Sequence, residues 1–231
     1  MLTIIIPAFN EEKDIIKVLK KIEEISKIIS IFVIVIDDNS SDGTLKKLKE
    51  NQNLYNKLIS NQKNLGKGAS LIKSLEFIKT EYLIIQDADL EYSPNDIIQI
   101  YNKLRNNFDV VYGSRFLKRS ENQFNSNTQI IGNIILTTLS NLINRQSLSD
   151  SHTCYKSMKT SIFKSLKLES NGFEICAEIN TKLSNKRLKI NEIPIQFKGR
   201  SYKQGKKIKI QDFFKAIYTI FKFKFIKKNI I

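Results

Sequence analysis

Acidic side chains gather at two places in the chain, Asp37-Asp38 and Asp87-Ala88-Asp89, with Glu91 two residues beyond the second. Each group directly follows a short apolar run, Ile31 to Ile36 or Tyr82 to Gln86. Both are therefore expected at the ends of parallel strands, facing one crevice above a sheet. Uncompensated negative charge in such a place is costly and asks for a cation. Asp89 and Glu91 offer hard oxygen ligands of the kind that Mg²⁺ or Mn²⁺ takes when it bridges protein carboxylates and substrate phosphates. An ion so held would neutralise a departing diphosphate. Taken singly, the same residues have plainer uses: Asp37 or Asp38 as a cap for a helix near Thr44, Asp87 or Asp89 as a turn former.

Phosphate chemistry needs further cations. Arg115 follows a short strand at Val110 to Tyr112 and lies at the same predicted edge of the sheet, although a lone Arg there is equally a solvated one. The segment Asn64-Leu-Gly-Lys-Gly-Ala69 resembles part of a phosphate-binding loop, but it lacks the Walker A and dinucleotide spacings and also reads as a turn before a helix. His152 has no partner nearby in sequence and is assigned a structural or surface role. Cys154 and Cys176 show no metal-ligand spacing and are expected to be packed, reduced thiols of a cytosolic protein.

The elements that must position these groups follow from hydrophobic periodicity. Strands are predicted at Leu2 to Ile6, Ile31 to Ile36, Lys57 to Ser60, Tyr82 to Gln86 and Val110 to Tyr112. Helices are predicted from Glu11 to Ile29, Lys67 to Lys79 and, with Ser93 as cap before Pro94, beyond residue 94. Such alternation is a doubly wound α/β pattern. Further helices are expected near Thr128 to Asn144, Thr160 to Leu166 and Phe173 to Leu183, then a strand at Ile190 to Phe197 and a last amphipathic helix from about Gln211. With 231 residues and 41% hydrophobic content, one domain with a C-terminal extension is the expectation.

Lys and Arg number 38 against 23 acids, a net charge of +15, and the stretch from Lys198 to Ile231 alone carries eleven basic residues against Asp212. A focused excess suggests an anionic partner: nucleic acid, a phosphorylated ligand or lipid headgroups. A nucleic-acid-binding protein would leave both acidic clusters unexplained and no nucleic-acid motif is visible, so nucleic acid is not an expected partner. The longest uncharged stretch, Asn122 to Asn144, is too rich in Asn, Gln, Ser and Thr to span a bilayer. The tail from Phe213 to Ile226 mixes Phe and Ile with Lys, which suits either an interfacial helix on a membrane surface or a core-covering helix with a solvated basic face. Ile131, Ile135, Leu139 and Leu142 mark a second candidate apolar face.

Pro7-Ala-Phe-Asn-Glu11, Asp37-Asp-Asn-Ser-Ser-Asp-Gly-Thr44, Asn64 to Ala69, Asp87-Ala-Asp89 and Tyr112-Gly-Ser-Arg115 together resemble, in order and spacing, the inverting family-2 glycosyltransferases of GT-A fold. Asp150-Ser-His-Thr-Cys-Tyr-Lys156, Gly172 to Glu178, Glu192-Ile-Pro194 and the run from Arg200 through Gly205-Lys-Lys-Ile208 look like the dolichyl-phosphate mannose synthase and polyprenyl-phosphate glycosyltransferase branch. The resemblance spans residues 1–212, the implied catalytic domain, with 213–231 as a basic amphipathic tail. It implies a GT-A, Rossmann-like α/β fold with a mostly parallel sheet, a nucleotide-sugar donor, a polyprenyl-phosphate acceptor and peripheral attachment to the cytoplasmic face of a membrane. A saccharide acceptor in surface-polysaccharide assembly is the alternative. By the same resemblance Pro7, Phe9 and Glu11 line the base pocket, with Phe9 where Tyr is frequent. Asp38 bonds the base, Asp87 faces the ribose side, and Asp89 and Glu91 hold Mg²⁺ or Mn²⁺. Arg115, Arg200 and Lys206 grip phosphates, the last two from a lid at Gly199 to Lys206. Asp150 aligns the acceptor oxygen or serves structurally.

Overall fold

The apolar runs of the first half form the buried middle of a seven-stranded sheet in the computed structural model, which describes residues 1–200, 207 and 210–226. β1 (Leu2–Ala8), β2 (Ile31–Asp37) and β4 (Tyr82–Ile85) are parallel neighbours, and β3 (Lys57–Ser60) completes that side. β1 and β4 are covered on both faces, which is why they read as unbroken β-branched runs rather than alternating ones. The register sets Ala8 opposite Asp37, and the Gln86 amide bonds the Ile5 carbonyl at 2.9 Å. Asp37-Asp38 and Asp87 to Asp89 thus emerge at the carboxyl ends of β2 and β4, the two strands that flank β1.

The other side runs β4-β6-β5-β7, with β5 (Val110–Ser114) parallel to β7 (Ile190–Pro194). Between β4 and β5 lies β6 (Lys156–Lys159), antiparallel to both and absent from the predicted elements. Its sequence, KSMK, lacks an apolar run because its inward polar groups are satisfied in place: Ser157 Oγ donates to the Leu83 carbonyl at 2.7 Å and Lys156 Nζ to the Ser151 carbonyl at 2.8 Å. β7 stops at Pro194, short of the predicted Phe197, because the next amides turn to side chains, Gln196 to Asp96 and Phe197 to Asn122.

Eight α-helices of the described residues pack around the sheet: α1 (Ile15–Ser26), α2 (Thr44–Glu50), α3 (Lys67–Ser74), α4 (Asp96–Arg105), α5 (Asn127–Asn144), α6 (Thr160–Ser165), α7 (Ile175–Asn185) and α8 (Ile210–Phe221). α1 starts four residues after Glu11, behind a turn in which the Glu11 carbonyl accepts the Asp14 and Ile15 amides, while the Glu11 amide donates to the Thr44 hydroxyl at 2.8 Å. α8 lies on α5 and α7 with Ala216, Thr219 and Ile220 inward, and Phe223 follows in a single π-helical turn, Lys222–Ile226. Phe214 and Tyr218 of α8 and Phe225 of the π turn are exposed, and so are Ile131, Ile134, Ile135 and Leu142 of α5. One face of α8 thus covers the core, as the second of the two alternatives has it, and apolar residues lie exposed on the opposite face. No described helix is long and apolar enough to cross a membrane.

Candidate functional site

A cleft of about 540 Å³ opens over the carboxyl ends of β1, β2 and β4, lined among others by Pro7, Phe9, Glu11, Asp38, Asp87, Asp89, Glu91 and Arg200. The strand ends account for this gathering, and Arg200 arrives from beyond β7. Its amide donates to Glu91 Oε1 at 2.6 Å, its Nη1 and Nη2 to the two carboxylate oxygens of Glu11 at 2.8 and 2.6 Å, and Nη2 lies 2.7 Å from Asp89 Oδ2. Lys207 Nζ also pairs with Glu11. The Arg200 guanidinium is shared by two of the predicted site carboxylates, Glu11 and Asp89, and its backbone amide holds the third, Glu91. Lys206 lies outside the described residues.

Asp89 is buried, and burial followed by the neighbouring negative charge of Asp87 raises its pKa to about 8. This carboxylate sits in a field that favours any added positive charge. Asp89 and Glu91 offer oxygens suited to a hard divalent ion, which needs only one or two protein carboxylates when phosphates and water complete its shell. Among the described residues no three His, Cys, Asp or Glu side chains form a closed metal-binding cluster.

The two other cleft carboxylates are committed to the protein. Asp38 accepts from Asn61 Nδ2 at 2.8 Å, the Leu65 amide at 3.0 Å and the Gly66 amide at 2.7 Å, so it shapes the loop before α3. Asp87 accepts from Lys67 Nζ at 2.5 Å. Burial works against both charges of that pair, yet the mutual attraction wins: Lys67 is held above the ordinary lysine range and Asp87 below the ordinary carboxylate range. Lys67 occupies this place because the glycines around it allow close contact. A Cβ on Gly66, at φ +95°, would lie 2.4 Å from the Asn171 carbonyl oxygen, and one on Gly68 would lie 2.1 Å from that of Ser170. The glycines thus serve backbone approach and present Lys67 at the floor of the cleft.

A second cavity, of about 310 Å³, adjoins the first: Lys67, Asp87, Glu91 and Phe173 line both. It extends between α5 and α8 past Arg115, Gln129, Asn133, Leu136, His152, Phe197, Ile210 and Phe213. Arg115 Nε donates to Asp150 Oδ2 at 2.7 Å and Nη2 to Oδ1 at 2.8 Å, while the Arg115 amide also reaches Oδ2 at 3.1 Å. Burial opposes the Arg115 charge, and Asp150 more than restores it, so the guanidinium stays protonated. Asp150 is fully buried behind Arg115 and does not line either cavity. Glu192 on β7 fixes the loop that carries it, accepting the Ser149 and Asp150 amides at 2.7 and 2.9 Å.

The structure brings Pro7, Phe9, Glu11, Asp38, Asp87, Asp89, Glu91 and Arg200 to one cleft and Arg115 to the adjoining cavity. Lys67, Glu192 and His152 were not singled out for these places by their types and spacing. The Lys67-Gly68 pair before a helix was the one signal present in sequence. Cys154 and Cys176 are free thiols, and Cys154 Sγ lies 3.5 Å from Lys67 Nζ.

Comparison with known proteins agrees with this architecture. The chain is 25% identical over 233 residues to a dolichol-phosphate mannosyltransferase of Pyrococcus furiosus, an alignment covering 95% of this chain and 63% of that one. It is 27% identical over 240 residues to a UDP-N-acetylglucosamine--dolichyl-phosphate N-acetylglucosaminyltransferase of Methanococcus voltae, covering 95% of this chain and 94% of that one. A 40% identical stretch of 124 residues is shared with an uncharacterised Methanocaldococcus jannaschii protein, covering 49% of this chain and 52% of that one. The chain thus spans between half and two thirds of the length of two of these relatives. In fold it is similar to the crystal structure of glucosyl-3-phosphoglycerate synthase from Mycobacterium tuberculosis in complex with Mn²⁺, UDP and glucosyl-3-phosphoglycerate, with TM-score 0.74, 16% identity and coverage of 97% of this chain and 80% of that one. The family model of glycosyl transferase family 2 matches residues 3–167. Strands β2 to β6, all of β1 but its first residue, the carboxylates at the ends of β2 and β4 and Arg115 fall inside that match, and the chain belongs to glycosyl transferase family 2.

Proposed function

We propose that this chain moves a sugar from a nucleoside-diphosphate donor to a polyprenyl phosphate, with inversion at the anomeric carbon, at the cytoplasmic face of a membrane. One observation carries the reading: the carboxylate cleft and the cavity between α5 and α8 meet at Lys67, Asp87, Glu91 and Phe173. Two substrates bound in these hollows would touch at that seam. The relatives named for transfer to dolichyl phosphate support the acceptor class.

In this account the cleft takes the donor, with Pro7, Phe9 and Glu11 beside the base and Asp38 shaping the pocket through the loop at Leu65 and Gly66. Asp89 and Glu91 would hold Mg²⁺ or Mn²⁺, and the ion when bound supplies charge to the departing diphosphate. Arg200, and Lys206 on the same segment, contribute further positive charge over the phosphates. Arg115 faces the acceptor phosphate, and Asp150 holds its guanidinium fork in place rather than touching the substrate. A phosphate acceptor is already anionic near neutral pH, so little general-base help is required.

The acceptor's hydrocarbon chain needs an exit. The exposed apolar faces of α5 and α8 flank the second cavity and are suited to lie in a bilayer interface, with the tail lysines against anionic headgroups. The test is incubation with polyprenyl phosphate and a panel of radiolabelled nucleotide sugars plus Mn²⁺. Label in a lipid-soluble product from one donor supports the reading. Turnover only on a free or lipid-linked oligosaccharide favours the saccharide acceptor.

A further inference from the structure

His152 is the chain's one histidine and is among the residues that line the cavity between α5 and α8, with Arg115, Gln129 and Asn133. One edge of the ring is held by the protein. Nδ1 lies 2.7 Å from Ser151 Oγ, which in turn lies 3.1 Å from Thr137 Oγ1. Thr137 Oγ1 also accepts the Ser151 amide at 3.2 Å. That amide can only donate, so the threonine proton is free to point to Ser151 Oγ. The serine proton is then left for Nδ1. A neutral imidazole has one N–H, and with the hydroxyl protons arranged in this way it lies on Nε2. Burial first, and then the positive charge of Lys156, lower the His152 pKa to about 3, so the ring is neutral at working pH.

Nε2 is buried and has no hydrogen-bond partner among the described residues. Buried polar atoms are seldom left unpaired, and an exception beside a cavity points to a ligand. The charge around it selects the ligand. Arg115, on the same cavity wall, attracts an anion, and an N–H repels a metal ion and welcomes an oxygen lone pair. A lone pair at Nε2 would instead oppose an anionic guest, which makes the relayed tautomer the useful one.

We propose that His152 Nε2–H is a hydrogen-bond donor for a phosphate oxygen of the acceptor, and that it sets acceptor affinity and orientation beside Arg115. This rests on reading the second cavity as the acceptor site. No proton leaves the ring. Arg115 supplies the charge, while His152 adds a directional contact from a side chain already locked by Ser151 and Thr137. That rigidity limits the entropy lost when the phosphate binds.

Because there is one histidine, a full-length sample labelled with ¹⁵N-histidine gives a single imidazole in long-range ¹H–¹⁵N NMR spectra. The expected spectrum shows the Nε2-protonated tautomer across about pH 6 to 8. Farnesyl phosphate should move the Hε2 resonance downfield, and a nucleoside diphosphate alone should not. In transfer assays His152→Phe should raise the acceptor KM by about 10- to 100-fold, the range for losing a hydrogen bond to a charged group, with the donor KM unchanged. His152→Gln, which restores an N–H on a chain of similar reach, should recover part of it. An Nδ1-protonated or doubly protonated ring overturns the proposal, as does normal farnesyl phosphate binding that leaves the histidine resonances unmoved. Failure of the wild-type chain to bind any prenyl phosphate, with the tautomer as expected, instead overturns the acceptor reading and the ligand assignment that depends on it.

Discussion

Glu11 and Arg200, 189 positions apart in the chain, join through two hydrogen bonds of 2.6 and 2.8 Å. The same guanidinium touches Asp89, so one residue from beyond the last strand ties down the carboxylates at the ends of β1 and β4. A diphosphate entering the cleft would compete with those carboxylates for Arg200. Arg200→Ala should lower kcat/KM by about 2–4 kcal/mol of transition-state stabilisation, the scale of losing one electrostatic donor at a reacting centre. Donor affinity without acceptor should change less. Steady-state kinetics with calorimetric donor binding check this, and a wild-type kcat/KM would make the contact an ordinary ion pair.

The buried pair of Arg115 and Asp150 makes a different expectation. Removing the carboxylate strands a guanidinium in a nearly dry place, so Asp150→Ala should cost about 3–5 kcal/mol of stability. Replacing both partners by apolar residues should recover much of that loss while transfer stays abolished. Denaturant unfolding of the single and double variants measures it, and additive losses would show that the pair is not coupled.

How far these sites were legible in sequence depends on how local their signals are. β1, β2 and β4 were readable because strands buried on both faces are continuous β-branched runs. The carboxylates at their ends followed from the same runs. β6 was not readable, since Lys156 and Ser157 are buried through hydrogen bonds to Ser151, Asn180 and Leu83 that leave no pattern among neighbours in sequence. The engagement of Asp38 with the loop at Leu65 and Gly66 joins residues 27 and 28 apart, and the hold of Glu192 on Asp150 spans 42. The Ser151 and Thr137 relay to His152 likewise exists only once α5 packs beside that loop.

Lys156 should leave a signature in pH. Burial lowers its pKa from 10.5 to about 8. Between those values the unfolded chain holds a proton that the folded chain lacks, so through this group stability rises with pH, by at most about 1.4 kcal/mol per unit. Below the folded value both states are protonated and the burial penalty is fully present. The stability of the wild type relative to Lys156→Met should therefore increase as pH rises from about 8 towards 10. Unfolding curves across that range test it, and a pH-independent difference would contradict it.

The exposed face of α8 bears on membrane attachment. Replacing Phe214, Tyr218 and Phe225 by Ser removes exposed apolar groups without touching Ala216, Thr219, Ile220 or Phe223, which face α5 and α7. The variant should float poorly with anionic liposomes and bind nucleotide sugar normally. High salt should release the wild type only in part, because lysine attraction is screened beyond about 8–10 Å whereas apolar contact is not. Unchanged flotation of the variant would remove α8 from the account.

The central claim concerns which acceptor receives the sugar. The most direct measurement offers both at once: the wild-type chain, its labelled nucleotide sugar and Mn²⁺ are incubated with liposomes containing polyprenyl phosphate and with an aqueous oligosaccharide, and the phases are separated. The account predicts label in the organic phase, released by mild acid as free sugar. Label confined to the oligosaccharide, with none in the lipid, would contradict it.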